Sequence, residues 1–166
     1  MSSDMQLELA ISRDIDDYLN TMLIDMQKML NAYAKSKQFR LDNAQLSNLM
    51  AVAEETSSVE VVKNYIRYQM GRPDSDSSWR HSASDRPTFG DSLIAALDTL
   101  KSSALGIVTG NAAKLNEDEQ VPYVDRTWIR LTRLYVGYMR RYLYYRNDEV
   151  KRERAAEEKQ RAAGGR

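Results

Sequence analysis

Apolar side chains recur every three or four residues through most of this chain, which is the spacing of one face of an α-helix. The longest stripe predicts a first helix from near Asp4 to about Lys35. Its apolar positions are Ile11, Ile15, Tyr18, Met22, Met26, Met29 and Tyr33. Only 7 Gly and 3 Pro interrupt 166 residues, and the alternation typical of β-strands is hard to find. The chain is therefore predicted to be all-α, a small helical bundle of about five helices with a long N-terminal helix and a long basic C-terminal helix.

Three shorter helices are predicted in the middle of the chain. Their approximate bounds are Asn43–Glu54, Val59–Met70 and Phe89–Val108. Asp42 followed by Gln45, and Ser57 followed by Glu60, fit the capping pattern that opens a helix. Gly71 is a suitable C-cap residue for the third helix.

Two polar stretches separate these helices from each other and from the last one. Residues 73–88 include five serines and are predicted to form a mobile, partly disordered loop. Residues 110–122 are predicted to form an acidic loop, so the fifth helix is expected to begin near Tyr123. We assign residues 1–147 to the bundle domain. Residues 148–166 form a charged tail with few apolar anchors, expected to be frayed or disordered.

The fifth predicted helix carries the most unusual charge pattern in the sequence. From Arg126 to Asn147 there are six arginines and no acidic residue. Five of them fall within an arc of about 100° on a helical projection, opposite a face of apolar and aromatic side chains. We call this set the arginine ridge: Arg126, Arg130, Arg133, Arg140 and Arg141. Because guanidinium groups match phosphate oxygens well, the ridge predicts a polyanionic partner.

Charge is unevenly distributed although the whole chain is neutral, with 24 basic and 24 acidic residues. Residues 1–60 carry 5 basic and 10 acidic groups, whereas residues 121–166 carry 12 and 6. Such a separation favours head-to-tail contact between copies of the chain, or binding of a polyanion at the basic end.

The sequence offers little for catalysis. His81 is the only histidine and lies in the stretch predicted to be mobile, where a catalytic base would be poorly positioned. The chain has no cysteine and no phosphate-binding loop of the GxxxxGK type. We therefore expect no catalytic residue, no metal and no cofactor. No apolar run approaches the length of a membrane span, so a cytoplasmic protein without a membrane partner is expected.

Two blocks resemble a known family. Residues 62–72, VKNYIRYQMGR, are similar to a Lys-x-x-(Leu/Ile)-x-Tyr-Gln-x-Gly-Arg block, and residues 41–49, LDNAQLSNL, are similar to a helix opening in the same proteins. The segment from Ile129 to the tyrosine cluster ending at Tyr145 resembles their last helix. The family is that of the small subunits of type III CRISPR–Cas effector complexes; a related class 1 small subunit also fits.

The resemblance implies a non-catalytic helical protein that stacks in several copies along an effector filament. Its partners would be the guide RNA and target RNA, the backbone and large subunits, and further copies of itself. RNA would be held by its phosphates, without base reading. The residues expected to contact the RNA backbone are Lys63, Arg67, Arg72 and the ridge residues Arg126, Arg130, Arg133, Arg140 and Arg141. Arg72 fits a helix cap equally well. The alternative function is a structural self-assembly or protein-interaction module with no nucleic-acid role.

Overall fold

A computed structural model describes residues 2–165 of the chain. These residues form five α-helices and a short 3-10 helix. An isolated antiparallel bridge joins Ser82 and Thr88, and the described residues contain no β-strand. The helices are α1 (Ser3–Ala34), α2 (Asn43–Glu55), α3 (Val59–Gly71), α4 (Phe89–Asn111) and α5 (Glu117–Gly164), and the 3-10 helix is Ser77–Arg80. The predicted all-α bundle with long first and last helices is confirmed.

The 48-residue helix α5 is the axis of the bundle and packs against α1, α2 and α4. Its predicted apolar face is buried at Val124, Trp128, Leu131, Tyr135 and Met139. Polar atoms of side chains on this helix form hydrogen bonds with backbone groups of other helices. The indole Nε1 of Trp128 donates to the Leu97 carbonyl of α4 at 2.7 Å. The outer face of α5 is thereby fixed in its orientation.

The stripe predicted on α1 faces this core. Ile11, Ile15, Met22, Met26, Leu30 and Tyr33 are buried. On α4 the apolar residues at helical spacing are buried: Phe89, Leu93, Leu97, Leu100 and Ala104. By length and apolar composition alone α4 would qualify as a membrane span, contrary to the sequence expectation that no run is long enough. Its packing against α1, α3 and α5 is that of a core helix.

Residues 73–88 are packed, and the prediction of a mobile loop was wrong. Trp79 is fully buried, and Ser75 and Ser78 are buried with it. The Ser78 hydroxyl accepts a hydrogen bond from the backbone N–H of Arg40 at 2.7 Å. The buried Trp79 side chain therefore holds the segment in place. Serines of the segment also form hydrogen bonds with backbone groups outside it.

The start of α2 follows the sequence prediction. The Asp42 carboxylate accepts from the backbone N–H of Gln45 at 2.8 Å, which is the expected N-cap bond. For α3 the N-cap residue is Ser58, not Ser57, and no side-chain capping bond forms there. The local pattern located this helix but placed its cap one residue too early.

The start of α5 lies six residues before the predicted position. Asn116 and Glu119 form a complete capping box: each side chain accepts from the other's backbone N–H at 2.9 Å. Pro122 is the sixth helical residue, where it leaves only the Asp118 carbonyl without its usual intrahelical donor. Residues 117–122 of the predicted acidic loop are therefore helical, because the bonds of the capping box stabilise the helix start more than Pro122 destabilises it.

The tail predicted to be frayed or disordered is the helical continuation of α5 to Gly164. Side chains after Arg154 are exposed, in agreement with the predicted solvation. Pairs along the helix support it, such as Arg152 with Asp148 at 2.9 Å and Arg146 with Glu149 at 2.7 Å. Within the tail, Val150 and Arg154 are half-buried and face the α1–α2 connection.

Candidate nucleic-acid interface

The arginine ridge lies on the outward side of α5 and is flanked by α1 and α2. On the α1 flank, Arg126 Nη2 lies 2.8 Å from Glu8 Oε1, and the Arg126 guanidinium also stacks over the Tyr123 ring at 4.6 Å. Arg130 Nη1 donates to the Ser12 hydroxyl at 2.8 Å. These contacts follow one face of α1, because Glu8 and Ser12 are one helical turn apart.

The hydrogen bond from Tyr123 to the Asp4 carboxylate extends this row by one turn. It raises the pKa of the Tyr123 hydroxyl, chiefly because the bond stabilises the protonated phenol next to an anion. The Arg126 side chain is still 58% exposed. A phosphate could therefore approach Arg126 and Arg130 only in competition with α1.

On the α2 flank, Arg133 has a structural role. Its Nε donates to the Ala53 carbonyl at 2.9 Å and its Nη2 to the Thr56 carbonyl at 2.8 Å. These carbonyls lie at the C-terminal end of α2, where intrahelical donors are missing and a positive charge is favourable. Because the guanidinium is half-buried and bonded on two sides, Arg133 is poorly placed for RNA.

The last part of the ridge is open. Arg140 and Arg141 are exposed, and no carboxylate of residues 2–165 lies within 4.0 Å of either guanidinium. Arg141 stacks over the half-buried Tyr138 ring at 5.6 Å, which limits its range of positions. One turn on, the Tyr144 ring is 62% exposed. We call Arg140, Arg141 and Tyr144 the open end of the ridge.

Lys63, expected to contact RNA, lies in the interior. It is 7% exposed, and its Nζ is 2.7 Å from Asp98 Oδ1 and 3.1 Å from Glu60 Oε1. The hydrogen bond to Asp98 raises the pKa of Lys63. The same ammonium lies 5.9 Å above the Trp128 ring, on the buried side of α5. A phosphate would have to displace two carboxylates, so this geometry does not support an RNA contact at Lys63.

The other two basic residues expected from α3 differ in their surroundings. Arg67 is exposed, and its guanidinium has no carboxylate within 4.0 Å among residues 2–165. Arg72 is the C-cap of α3, pairs with Asp74 at 3.3 Å and stacks over Tyr68 at 5.6 Å. Arg72 therefore matches the capping alternative.

His81 is ordered, contrary to the expectation for its segment. Its backbone N–H caps the 3-10 helix by donating to Ser78 O, and its ring lies 6.2 Å from the Phe39 ring. Its Nε2 is buried without a hydrogen-bond partner, and no bond joins the ring to a serine in the described chain. Within residues 2–165 no group of three or more His, Cys, Asp or Glu is placed to hold a metal ion.

The structure contains a second basic surface that was not predicted from the sequence. A cleft of about 430 Å³ lies between the α1–α2 connection and the region of α5 that follows the core. Six of its lining side chains are cationic: Lys35, Lys37, Arg40, Arg146, Lys151 and Arg154. The signal in the sequence was the close spacing of Lys35, Lys37 and Arg40. Their meeting with α5 depends on a contact across more than a hundred residues.

The cleft lies further along α5 than the open end of the ridge. At 100° per residue, Arg146 and Val150 project away from the arc that carries Arg140 and Arg141, whereas Lys151 projects within that arc, roughly 15 Å further along the helix axis than Arg141. Comparisons with protein-family models, curated proteins and solved structures find no match for this chain.

Proposed function

We propose that this protein is a non-catalytic small subunit of an RNA-guided CRISPR antiviral effector complex, of type III or a related class 1 system. It binds the backbone of guide or target RNA without reading sequence. The observation that carries this proposal is the open end of the ridge, where Arg140, Arg141 and Tyr144 stand exposed on one helical face. Two forked cations beside an aromatic ring suit a phosphate and a stacked base or sugar.

The length of the open end suits contact with a backbone. Arg140 to Tyr144 spans roughly 6 Å of helix axis, at about 1.5 Å per residue. Phosphates of one strand advance by about 3.4 Å each along a duplex, so about two can face this length. Contacts of this type fix position and orientation and carry no direct sequence information.

Assembly with other subunits is supported by charge and by the sequence resemblance. The acidic first third and the basic last part of the chain suit stacking of copies. The blocks at residues 41–49 and 62–72 are those that resemble the small subunits. On this proposal the backbone and large subunits are the other partners, and the site of action is cytoplasmic.

One observation favours the alternative of a structural or protein-interaction module. Arg126, Arg130 and Arg133 are bonded within the chain, to Glu8, Ser12 and the end of α2. More than half of the ridge is thus used in holding α5 against its neighbours. The RNA-binding proposal and the structural alternative differ in the role of the open end, which makes no such contact with α1 or α2.

The test is a salt titration of RNA binding with Arg140→Ala/Arg141→Ala. If each arginine neutralises one phosphate, the slope of log affinity against log salt should become shallower by about 1.4 on single-stranded RNA. The loss should be equal for RNAs of different sequence. Arg13→Ala/Lys28→Ala is the matched control, because it removes the same charge from exposed positions on α1.

An unchanged slope in the Arg140→Ala/Arg141→Ala variant would refute RNA binding by the open end. A loss confined to one RNA sequence would refute backbone recognition. The assembly is tested separately, by asking whether a tagged chain co-purifies with a guide RNA and large backbone subunits. Recovery of copies of this chain alone would favour the structural alternative.

A further inference from the structure

The cleft beside the α1–α2 connection holds more positive charge than its own surroundings neutralise. Its lining has six cations and three carboxylates, those of Asp42, Glu153 and Glu157. The Asp42 carboxylate is already used as the N-cap of α2. The unbalanced positive charge of this lining favours an anion between its walls.

Five of the six cations have no carboxylate within 4.0 Å among residues 2–165. They are Lys35, Lys37, Arg40, Lys151 and Arg154. The sixth, Arg146, pairs through Nη1 with Glu149, but its Nε is buried without a hydrogen-bond partner. A buried donor without a partner costs free energy, and an anion in the cleft is the natural acceptor.

The walls of the cleft are held in place before any ligand binds. The backbone N–H of Arg40 donates to Ser78 Oγ at 2.7 Å, and Arg40 Nε donates to the Lys37 carbonyl at 3.3 Å. Asn147 Nδ2 on α5 donates to the Leu41 carbonyl at 3.1 Å, which ties the two walls together. The backbone of both walls is therefore fixed, whereas the exposed lysine side chains become ordered only when an anion binds.

Four of the seven remaining lining residues are apolar, namely Ala34, Phe39, Leu41 and Val150, and the other three are polar. Phe39 and Leu41 are buried, so the half-buried Ala34 and Val150 form most of the accessible apolar wall. The volume of about 430 Å³ exceeds what an inorganic ion needs and lies within the usual range for small organic ligands. Asn43, the first residue of α2, and Ala34, the last residue of α1, both line the cleft, so the partial charges of the two helix ends oppose each other there.

We infer that this cleft binds a nucleotide, with its phosphate against the cations of the α1–α2 connection and its base or sugar against the apolar wall. The ligand is either a free nucleotide or the 5′-phosphorylated terminal nucleotide of an RNA strand. Both have the same recognition chemistry. The site is separate from the open end of the ridge and does not depend on the function proposed for it.

The experiment is calorimetric titration of the full-length protein at low salt. The probes are ATP and a short oligouridylate with or without a 5′-phosphate. The variant Lys35→Gln/Lys37→Gln/Arg40→Gln should weaken binding of the phosphorylated probe at least about tenfold, equivalent to about 1.4 kcal/mol. The control Arg13→Gln/Lys28→Gln/Lys114→Gln removes the same charge from exposed positions outside the cleft and should keep wild-type affinity.

The probes separate the two sources. Binding of ATP with no effect of the RNA 5′-phosphate indicates a free nucleotide, whereas dependence of RNA affinity on that phosphate indicates a strand end. No binding of ATP and no effect of the 5′-phosphate would overturn the inference. So would equal losses in the cleft variant and its control.

Two further variants keep this result independent of folding and of the ridge. If the triple variant loses its helical circular dichroism, Lys151→Gln/Arg154→Gln alters the opposite wall without touching the connection. Arg140→Ala/Arg141→Ala should leave ATP affinity unchanged. A loss of ATP binding in that ridge variant, with none in the cleft variants, would place the nucleotide on the ridge and refute the cleft.

Discussion

Replacing Trp79 by alanine should destabilise the whole protein, although this residue lies in the most polar stretch of the sequence. Trp79 is fully buried and its ring centroid is 5.9 Å from that of Phe89, the first residue of α4. Burial of a tryptophan removes roughly 150–250 Å² from water, which at about 25 cal/mol per Å² corresponds to about 4–6 kcal/mol. Large-to-small substitutions at buried aromatic positions cost about 3–5 kcal/mol, so we expect Trp79→Ala to fall in that range.

The assay is urea denaturation followed by far-ultraviolet circular dichroism. A domain of this size has a free energy of unfolding of about 5–15 kcal/mol, so the midpoint should fall by a large fraction. Thermal unfolding should shift down by roughly 6–20 °C, since each kcal/mol corresponds to about 2–4 °C at this chain length. Trp79→Phe should be intermediate, because a smaller ring still fills part of the site.

The control is Arg86→Ala, which alters an exposed residue in the same segment. If residues 73–88 were mobile, both substitutions would change the free energy of unfolding by less than about 0.5 kcal/mol. That result for Trp79→Ala would refute the packing described for this segment. The protein has two tryptophans, so fluorescence quenching of a Trp128→Phe background reports on the exposure of Trp79 alone.

Three further perturbations test other contacts. Arg133→Gln should lower the free energy of unfolding measured in urea by about 2–3 kcal/mol, because the charge-assisted bonds to the end of α2 are lost. The salt slope of RNA binding should stay unchanged in this variant; a shallower slope would mean that Arg133 contacts RNA. Burial raises the pKa of the Tyr135 phenol and the bond to Asp98 raises that of Lys63, so both groups hold protons more tightly when folded. The contribution of these two groups to stability should therefore be constant below about pH 10 and be lost above it, so the alkaline fall should be less steep in Tyr135→Phe; an equal fall in that variant would contradict the assignment. Gly90→Ala should cost about 1–3 kcal/mol, because the added Cβ would collide with the Met70 side chain, and Met70→Ala should recover part of that loss in a double-mutant cycle.

The helices could be predicted from sequence because their signals are local. The apolar stripe of α1 repeats through seven positions, and Asp42 caps α2 through a residue three positions away. The start of α5 was predictable on the same grounds, since Asn116 and Glu119 form a capping box. The sequence prediction starts this helix only after Pro122, although a proline so near a helix start removes only one intrahelical bond.

The candidate sites were less predictable because the contacts that decide them are distant in sequence. Lys63 and Arg67 are four residues apart, which is the spacing of any pair on a solvated helix face. The burial of Lys63 depends on its pairing with Asp98, which lies on another helix. Helical spacing grouped the ridge arginines correctly on one side of α5. It could not indicate that Arg133 would meet the end of α2. Partners of this kind are set by the packing of the bundle, which periodicity in one helix does not encode.

The division of the ridge gives the strongest reason to look for function at its C-terminal end. The contacts of Arg126, Arg130 and Arg133 with α1 and α2 explain why a stable bundle would contain these residues. Arg140 and Arg141 project from α5 without a carboxylate partner among residues 2–165, and Arg141 stacks over Tyr138 of the same helix. Side chains at i and i+1 do not face each other on a helix, so the two arginines do not stabilise one another directly. We therefore propose an external anion as the partner of this pair, and the salt titration tests that proposal at these residues.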